Sequence, residues 1–232
     1  MQIDKFVLHH YPASRSVRAK WMLHETVGDD FDVKRVDIYG GDQFDAEQLA
    51  INPNHNVPVL EIHWSGRPVQ YMLESSAIVQ WLADRYPDKG LSPKDAGPER
   101  ADYLRYFQFG AVWMDMVLWQ VRAQKHLLTP DLADPVVLER YEEKFRNECE
   151  PQIAARLGEG DHILGDTFSA ADIIIGYNVF WARGYGLCQA DLFADYLNRM
   201  LKRPALRRAL SDAGEFKQEP APDSPVRTKF SG

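Results

Sequence analysis

The first part of the chain alternates short apolar runs with segments of helical character. An apolar run at 6–8 is followed by helix-forming residues over 14–27, which Gly28 brings to an end. Residues 31–38 alternate apolar and charged side chains, which favours a second strand, and residues 45–51 have the character of a short helix. The pattern therefore predicts strand, helix, strand and helix in that order.

A hairpin and a helix are predicted next. Residues 57–62 and 69–73 are short apolar segments on either side of the turn-forming sequence at 66–68. Residues 75–86 then place their apolar side chains broadly on one face of a helix. Pro58 cannot donate to a strand ladder, so it marks a strand start, a sheet edge or a cis peptide that would present the preceding backbone to a ligand.

The pattern changes after a polar stretch at 88–98. From Glu99 onward no strand is predicted, and a long run of apolar and aromatic residues at helical spacing suits the spine of a helical bundle. Further helices are predicted at 135–157, 169–185, 191–201 and 204–210. We therefore predict an α/β domain, a linker, an all-helical domain and an irregular tail, at 1–87, 88–98, 99–214 and 215–232.

Composition narrows the class of protein. The chain is 45% hydrophobic and 26% charged, as expected of a globular protein. Its net charge of -7 is spread over both halves, so no basic region is available to bind nucleic acid. The apolar stretch at the N-terminus is too short for a signal peptide, and no window approaches the roughly 20 apolar residues of a membrane span. We expect a cytoplasmic protein with neither nucleic acid nor membrane as a partner.

The cysteines argue against several kinds of site. Cys149 and Cys188 are the only two, and they belong to no CxxC motif and no Cys/His cluster. The cysteine positions therefore argue against a disulfide framework, a structural zinc and a dithiol redox centre. We predict two reduced, buried thiols and no metal.

Two predicted helix starts carry candidate chemistry. Ser14, Arg15 and Ser16 lie where free N–H groups and the helix dipole favour an anion, although Ser14 would serve equally well as an ordinary helix cap. Glu74 and Ser75 place a carboxylate beside hydroxyl and amide donors, which suits a zwitterionic amino-acid group but is also common in plain helix caps. Pro58 lies in the same small domain, which favours a ligand-binding role for both helix starts.

Four separated motifs give the chain a family resemblance. They are Ser14-Arg-Ser-Val-Arg18, Asn52-Pro-Asn-His-Asn-Val-Pro58-Val-Leu, Glu74-Ser-Ser-Ala-Ile-Val-Gln-Trp-Leu and Phe168-Ser-Ala-Ala-Asp172-Ile. In order and spacing the sequence resembles the soluble glutathione transferases over nearly its whole length, as a serine-type, bacterial-like member. The resemblance implies a thioredoxin-like α/β domain that binds glutathione, followed by an all-α helical bundle.

The resemblance also implies a glutathione site. Val57, ahead of a cis Pro58, would pair its backbone with the cysteinyl part of glutathione as an added strand. Glu74 would accept from the γ-glutamyl ammonium, and Ser75 would donate to its carboxylate. The glycyl carboxylate has three candidates, Gln43, His55 and Asn56. His55-Asn56 departs from the Gly-Lys or Gly-Gln pair that the family often has.

The catalytic task implied by the family is to keep the glutathione thiol ionised. Ser14 is the first choice as donor to the thiolate, and Ser16 and Arg15 are the reserves. Tyr11 is a candidate for the wall of a hydrophobic second-substrate pocket, with the donor role of tyrosine-type members as its alternative. Tyr106 and Trp113 could line the same pocket, although an aromatic stripe at this spacing is more often core. His9 and His10, which follow the first apolar run, are expected to be structural, and the motif at 168–173 is expected to be a helix-capping box.

These inferences favour a glutathione S-transferase that acts on a small electrophilic molecule in detoxification. The family implies a homodimer, in which Asp102 would assist the γ-glutamyl site of the neighbouring subunit, with glutathione as co-substrate and no metal. Disulfide reduction or ether cleavage with glutathione is a second hypothesis. A non-catalytic binder of glutathione or hydrophobic ligands is a third.

Overall fold

The chain forms two compact units. The computed structural model describes residues 1–221, 224 and 226. One unit contains residues 1–86 together with the described residues from Pro204 onward, and the other contains residues 87–203. Part of the tail that the sequence predicts to be irregular, namely 222, 223, 225 and 227–232, lies outside the described residues.

A four-stranded mixed sheet organises the first unit. The strands are β1 (Ile3–His10), β2 (Asp32–Arg35), β3 (Val59–Trp64) and β4 (Gln70–Leu73). Their order in the sheet is β2-β1-β3-β4, with β1 parallel to β2 and antiparallel to β3, and with β3 antiparallel to β4. The central strand β1 is thus hydrogen-bonded on both sides, and the residues after its carboxyl end are held at a fixed place.

The first strand is longer than the apolar run alone indicates. His9 pairs with Val59 of β3, and both His9 and His10 continue the ladder with β2. The side chains of His9 and His10 are 0% and 1% exposed. Polar residues do not end the strand here because each imidazole has hydrogen-bond partners within the unit.

Three helices follow the strands of the first unit. They are α1 (Ser16–Thr26), α2 (Ala46–Ile51) and α3 (Ser75–Arg85). Trp21, Met22 and Leu23 of α1 are 0% exposed, as are Ile78 and Val79 of α3. The apolar faces of α1 and α3 pack on each other, which brings their two N-termini into one region.

The second unit begins with the long helical run that the sequence predicts. It consists of α4 (Pro98–Gln108) and α5 (Asp115–Arg122), with π-helical segments at Phe109–Met114 and Ala123–Leu127. Gly110 lies in the first π-helical segment, and a Cβ there would meet the Cδ1 atom of Ile175 at 2.6 Å. The close approach of the two helices therefore depends on a residue without a side chain.

The remaining helices of this unit are α6 to α9. They are α6 (Pro135–Lys144), α7 (Glu150–Leu157), α8 (Ala170–Arg183) and α9 (Asp191–Leu201), and a π-helical segment (Phe145–Cys149) joins α6 to α7. The predicted capping box is present: the Ser169 N–H donates to Asp172 Oδ2 at 2.9 Å and Ser169 Oγ accepts from the start of α8. Within the described residues, no helix is long and apolar enough to span a membrane.

The last helix returns to the first unit. Helix α10 (Pro204–Ala209) packs against α1, and Arg208 lies 3.4 Å from Asp29. A short turn (Ala213–Glu215) follows. The sequence-based division places residues up to 214 in the helical domain, whereas the structure groups the described chain from Pro204 with the α/β unit because α10 contributes Leu206 and Ala209 to that core.

Candidate functional site

Two serine hydroxyls meet between β1 and α1. Ser14 Oγ and Ser16 Oγ are 2.7 Å apart, and the Ser14 hydroxyl also lies 2.8 Å from the Tyr11 carbonyl oxygen, to which it can donate. Ser14 is half-buried, whereas Ser16 is 0% exposed. Of the two hydroxyls, only that of Ser14 is open to a ligand.

Ser14 does not act as the cap of α1. The N-cap position is Arg15, and no side chain caps the helix there. Ser14 Oγ accepts only a long bond of 3.3 Å from the Ser16 N–H. The Ser14 hydroxyl therefore lies at the positive end of the helix and does not serve as its N-cap.

A histidine and an aspartate extend the serine pair into the core. Ser16 Oγ lies 2.6 Å from His10 Nδ1, and His10 Nε2 lies 3.1 Å from Asp212 Oδ2. Lys20 Nζ donates to the same aspartate oxygen at 2.7 Å. Sequence reasoning missed this arrangement because Asp212 is 202 residues from His10 along the chain, so no local motif could join them.

Burial and charge decide the protonation of these groups. Burial lowers the pKa of His10, and the nearby cations Lys20 and Arg35 act in the same direction, while Asp212 opposes them only in part. Burial works against ionisation of Asp212, but hydrogen bonds from His10 and Lys20 outweigh it and hold the pKa of that carboxyl well below its usual range. The aspartate is therefore charged and the imidazole neutral near pH 7.

Arg18 ties the start of α1 to the start of α3. Its guanidinium is 1% exposed and donates to Ser75 Oγ at 3.2 Å. Glu74, directly before Ser75, is exposed and has a φ of 67°, a left-handed conformation that is uncommon outside glycine. The Glu74 side chain makes no capping hydrogen bond to α3, so its carboxylate does not have the structural role of a helix cap.

The loop before β3 is built by Asn52, a residue that sequence reasoning did not select. Asn52 Nδ2 donates to both the carbonyl oxygen and Oδ1 of Asn56 at 2.9 Å, and Asn52 Oδ1 accepts from the Asn54 N–H at 3.0 Å. The Val57-Pro58 peptide at the end of this loop is cis, one of the alternatives considered from the sequence.

The three candidates for a terminal carboxylate differ in exposure. His55 and Asn56 are exposed, and the His55 ring lies 5.1 Å from the Phe44 ring. Gln43 is 5% exposed, and its amide nitrogen donates to the Ile38 carbonyl at 2.9 Å. The structure therefore uses Gln43 to hold its own loop, while His55 and Asn56 are open to a ligand.

Tyr11 does not line an open surface. Its side chain is 0% exposed, with the rings of Tyr39 and Phe216 at 5.4 and 6.4 Å and the Arg35 guanidinium 5.6 Å from its ring centre. The segment after α10 covers the ring in this structure, and a role for Tyr11 as the wall of a substrate pocket stays a prediction. Sequence reasoning had no signal for that contact.

The other two pocket candidates belong to the second unit. Tyr106 is 5% exposed and lies beside the guanidinium groups of Arg105 and Arg156, at 4.9 and 5.2 Å. Trp113 is 39% exposed, with Lys144 Nζ 4.6 Å from its ring centre. Of these two aromatic residues, only Trp113 presents a substantial surface.

The described residues contain neither a cluster suited to a metal ion nor an ionised cysteine. Among the described residues, no group of three or more His, Cys, Asp and Glu side chains is arranged to hold a metal ion. Cys149 and Cys188 are unpaired and buried, and burial raises the pKa of Cys149 to about 12 and that of Cys188 further. Both thiols are therefore un-ionised near pH 7.

Comparisons with known proteins match both parts of the chain. Residues 8–90 match the N-terminal domain of glutathione S-transferases, and residues 135–210 match the C-terminal domain. The chain is 34% identical over 194 residues to glutathione S-transferase 1 of Dianthus caryophyllus, which covers 83% of this chain and 73% of that protein. It is 26% identical over 189 residues to the disulfide-bond oxidoreductase YfcG of Escherichia coli K12, covering 79% of this chain and 85% of that one.

Solved structures show the same fold. A glutathione transferase family member from Pseudomonas fluorescens with two glutathione molecules bound superimposes with a TM-score of 0.78 at 24% identity, covering 89% of this chain and 92% of that chain. Its two-part architecture agrees with a thioredoxin-like domain followed by a helical domain. With a carnation relative matched over most of both sequences and both domain families present, the chain belongs to the glutathione S-transferase family.

Proposed function

We propose that this protein transfers glutathione to an electrophilic carbon, with Ser14 as the donor to the thiolate. The observation that carries this proposal is the half-buried Ser14 hydroxyl at the N-terminus of α1, in the unit that matches the glutathione-binding domain of the family. A free thiol with a pKa of about 8.5 is mostly protonated near neutrality. A hydroxyl donor and a helix N-terminus both favour the charged form.

The rest of the tripeptide extends along the same edge of the first unit. The Val57 backbone pairs with the cysteinyl residue of glutathione as an added strand. Glu74 receives the γ-glutamyl ammonium, and Ser75, which Arg18 holds in place, donates to the carboxylate. His55 and Asn56 receive the glycyl carboxylate. Gln43 contacts this carboxylate only if its amide nitrogen gives up the hydrogen bond to the Ile38 carbonyl.

The mechanism needs no protein cofactor. The thiolate attacks the electrophilic carbon, a leaving group departs or a double bond is saturated, and the protein supplies orientation and stabilisation of charge. Ser16 acts behind Ser14, because its own hydroxyl is 0% exposed and cannot reach a ligand. Arg15 remains a reserve contact, and Trp113 is the aromatic candidate for the second substrate.

The test is a titration of the purified protein with glutathione, in which the ultraviolet absorbance of the thiolate is followed across pH. We expect the bound thiol pKa to fall below about 8.5 and Ser14→Ala to return it toward that value, with about a hundredfold loss of turnover on 1-chloro-2,4-dinitrobenzene. Ser65→Ala, the same change in the exposed turn after β3, serves as the control. Glutathione that fails to bind, or that binds with its ordinary pKa, contradicts the proposal.

A second candidate is the reduction of disulfides by two glutathione molecules. The similarity to the YfcG oxidoreductase favours it. Because Cys149 and Cys188 are buried and un-ionised, both electrons would come from two glutathione molecules, which leave as one glutathione disulfide while the substrate disulfide becomes two thiols. Turnover of bis(2-hydroxyethyl) disulfide that exceeds turnover of the chlorodinitrobenzene would support this activity over transfer.

We also propose a homodimer of this chain, on the basis of its family. Asp102 is exposed at the start of α4, as a residue that serves a neighbouring subunit must be. Sedimentation of the intact protein tests the assembly. An Asp102→Asn variant that binds glutathione as tightly as the parent removes Asp102 from the site.

A further inference from the structure

Ser14 and Ser16 have roles in the proposed function, whereas His10 and Asp212, connected behind them, have none. Ser14, Ser16, His10 and Asp212 form one hydrogen-bonded chain with successive separations of 2.7, 2.6 and 3.1 Å. The chain begins at a half-buried hydroxyl and passes through two groups that are at most 1% exposed. A helix cap would require none of these inner contacts.

The direction of donation along the chain follows from the aspartate. A carboxylate can only accept, so His10 Nε2 carries a proton and donates to Asp212. In the neutral ring Nδ1 is then the acceptor, and the Ser16 hydroxyl donates to it. Ser16 Oγ is left as an acceptor, and the Ser14 hydroxyl donates to it or to the Tyr11 carbonyl.

In this state the Ser14 hydroxyl points its proton into the protein. Its oxygen can accept from a thiol, but its proton is not available to a thiolate. If His10 gains a proton at Nδ1, the ring becomes a donor to Ser16 Oγ, and Ser16 can then donate to Ser14. The Ser14 hydroxyl can then donate outward, so one proton on His10 allows the direction of donation to reverse, with the Tyr11 carbonyl, 3.0 Å from Ser16 Oγ, as the competing acceptor.

We propose that the thiol proton of glutathione leaves along Ser14 and Ser16 to His10, with Asp212 as the positioning group that stabilises the imidazolium. This inference rests on the proposed contact between Ser14 and the glutathione sulfur. The S–H bond breaks and its electron pair stays on sulfur, each hydroxyl passes one proton on and receives one, and a new N–H bond forms at Nδ1. The proton returns to the product carbon in an addition, or leaves to water in a substitution.

The charges around His10 fit this role. Asp212, Lys20 and Arg35 are the charged groups that act on the imidazole. Burial, helped by Lys20 and Arg35, keeps the ring neutral before substrate arrives, and Asp212 lies 3.1 Å from Nε2, where it stabilises the ring once it is charged. The negative thiolate that appears at the other end of the chain adds to this stabilisation.

The histidine beside it provides a matched control. His9 is also a buried residue of β1, and its Nε2 atom lies 2.6 Å from Glu61 Oε1. Successive side chains of a strand point to opposite faces, so His9 lies on the other face of β1 from His10. Its ring nitrogens contact Glu61 and Gln48, which gives it a similar structural role without a serine.

The test compares the pKa of the bound glutathione thiol in four proteins by thiolate absorbance across pH. His10→Asn keeps an acceptor for Ser16 but cannot take the proton, and Asp212→Asn keeps an acceptor for Nε2 but removes the charge. We expect each to raise the thiol pKa by about one unit, a tenfold loss of thiolate on the acidic side, with the KM for glutathione nearly unchanged. His9→Asn is expected to leave the thiol pKa at the parent value.

The outcomes separate this inference from the proposed function. If the parent lowers the thiol pKa and Ser14→Ala restores it, but His10→Asn and Asp212→Asn leave it lowered, the relay is refuted and the function stands. If the His9→Asn variant moves the thiol pKa as far as His10→Asn, the effect is structural and the relay is refuted as well. If the parent does not lower the pKa at all, both fail. Asp212→Asn, at a partly exposed carboxylate, keeps the test available should His10→Asn not fold.

Discussion

Replacing Asp172 by asparagine tests how much of the stability of the helical unit comes from one buried carboxylate. The side chain is 0% exposed at the start of α8. Its Oδ1 atom accepts from the Ile163 N–H at 2.9 Å and from the Tyr196 hydroxyl at 3.0 Å. Its Oδ2 atom accepts from the Ser169 N–H at 2.9 Å and from Ser169 Oγ at 3.3 Å.

The size of the effect follows from this geometry. Asparagine keeps one acceptor oxygen and places an NH2 group where the other oxygen was, so two of the buried donors face a donor. A lost bond to a charged group costs about 1.5–3 kcal/mol when the partner stays buried, and removal of the buried charge recovers part of that sum. We expect Asp172→Asn to lower the free energy of unfolding by about 2–4 kcal/mol.

Urea unfolding followed by tryptophan fluorescence measures the change, and amide hydrogen exchange at Ile163 and Ser169 shows where it acts. The matched control is Asp166→Asn, the same substitution at an exposed position just before α8. We expect the control to stay within about 0.5 kcal/mol of the parent. If Asp172→Asn unfolds at the same urea concentration as the control, the carboxylate does not anchor this unit and the reasoning is refuted.

Two further predictions concern the helical unit. Gly110→Ala should lower the free energy of unfolding by about 1–2 kcal/mol, because its Cβ would lie 2.6 Å from Ile175 Cδ1 in a filled core. The control is Gly214→Ala, which has open space around it and should change urea unfolding little. Equal urea midpoints for the two variants would contradict the packing argument. A thiol reagent at pH 8 should label neither Cys149 nor Cys188 in the native protein and both in urea, since burial raises the pKa of each thiol. Native labelling, detected by mass, would show that one of them is accessible.

Several elements could be predicted because their signals are local. The capping box at Ser169 and Asp172 was predicted from spacing and is present. Helix α9 begins and ends as the pattern indicated, at Asp191 and Leu201. The long helical run after Glu99 was also predicted, although its two π-helical segments were not, since helical spacing of apolar residues does not distinguish them from an α-helix.

Other features had no local signal. His10 was expected to be structural because the sequence offers it no metal-like partner, and its contact with Asp212 joins positions 202 residues apart. Tyr11 was expected to line a pocket because of its spacing in the loop after the first strand, and nothing in that spacing indicates that Phe216 packs 6.4 Å from its ring. Both contacts have one origin, which is that residues after α10 return to the first unit.

The sequence by itself determined the order of strands and helices, the two domain types and the residues that carry the family resemblance. It could do so because hydrophobic periodicity, proline, glycine and capping residues act over a few positions of the chain. The tertiary structure decided which of the candidate hydroxyls is open and what lies behind it. Contacts such as that between His10 and Asp212 join positions far apart in sequence, and only the packing of the folded chain brings them within hydrogen-bond distance.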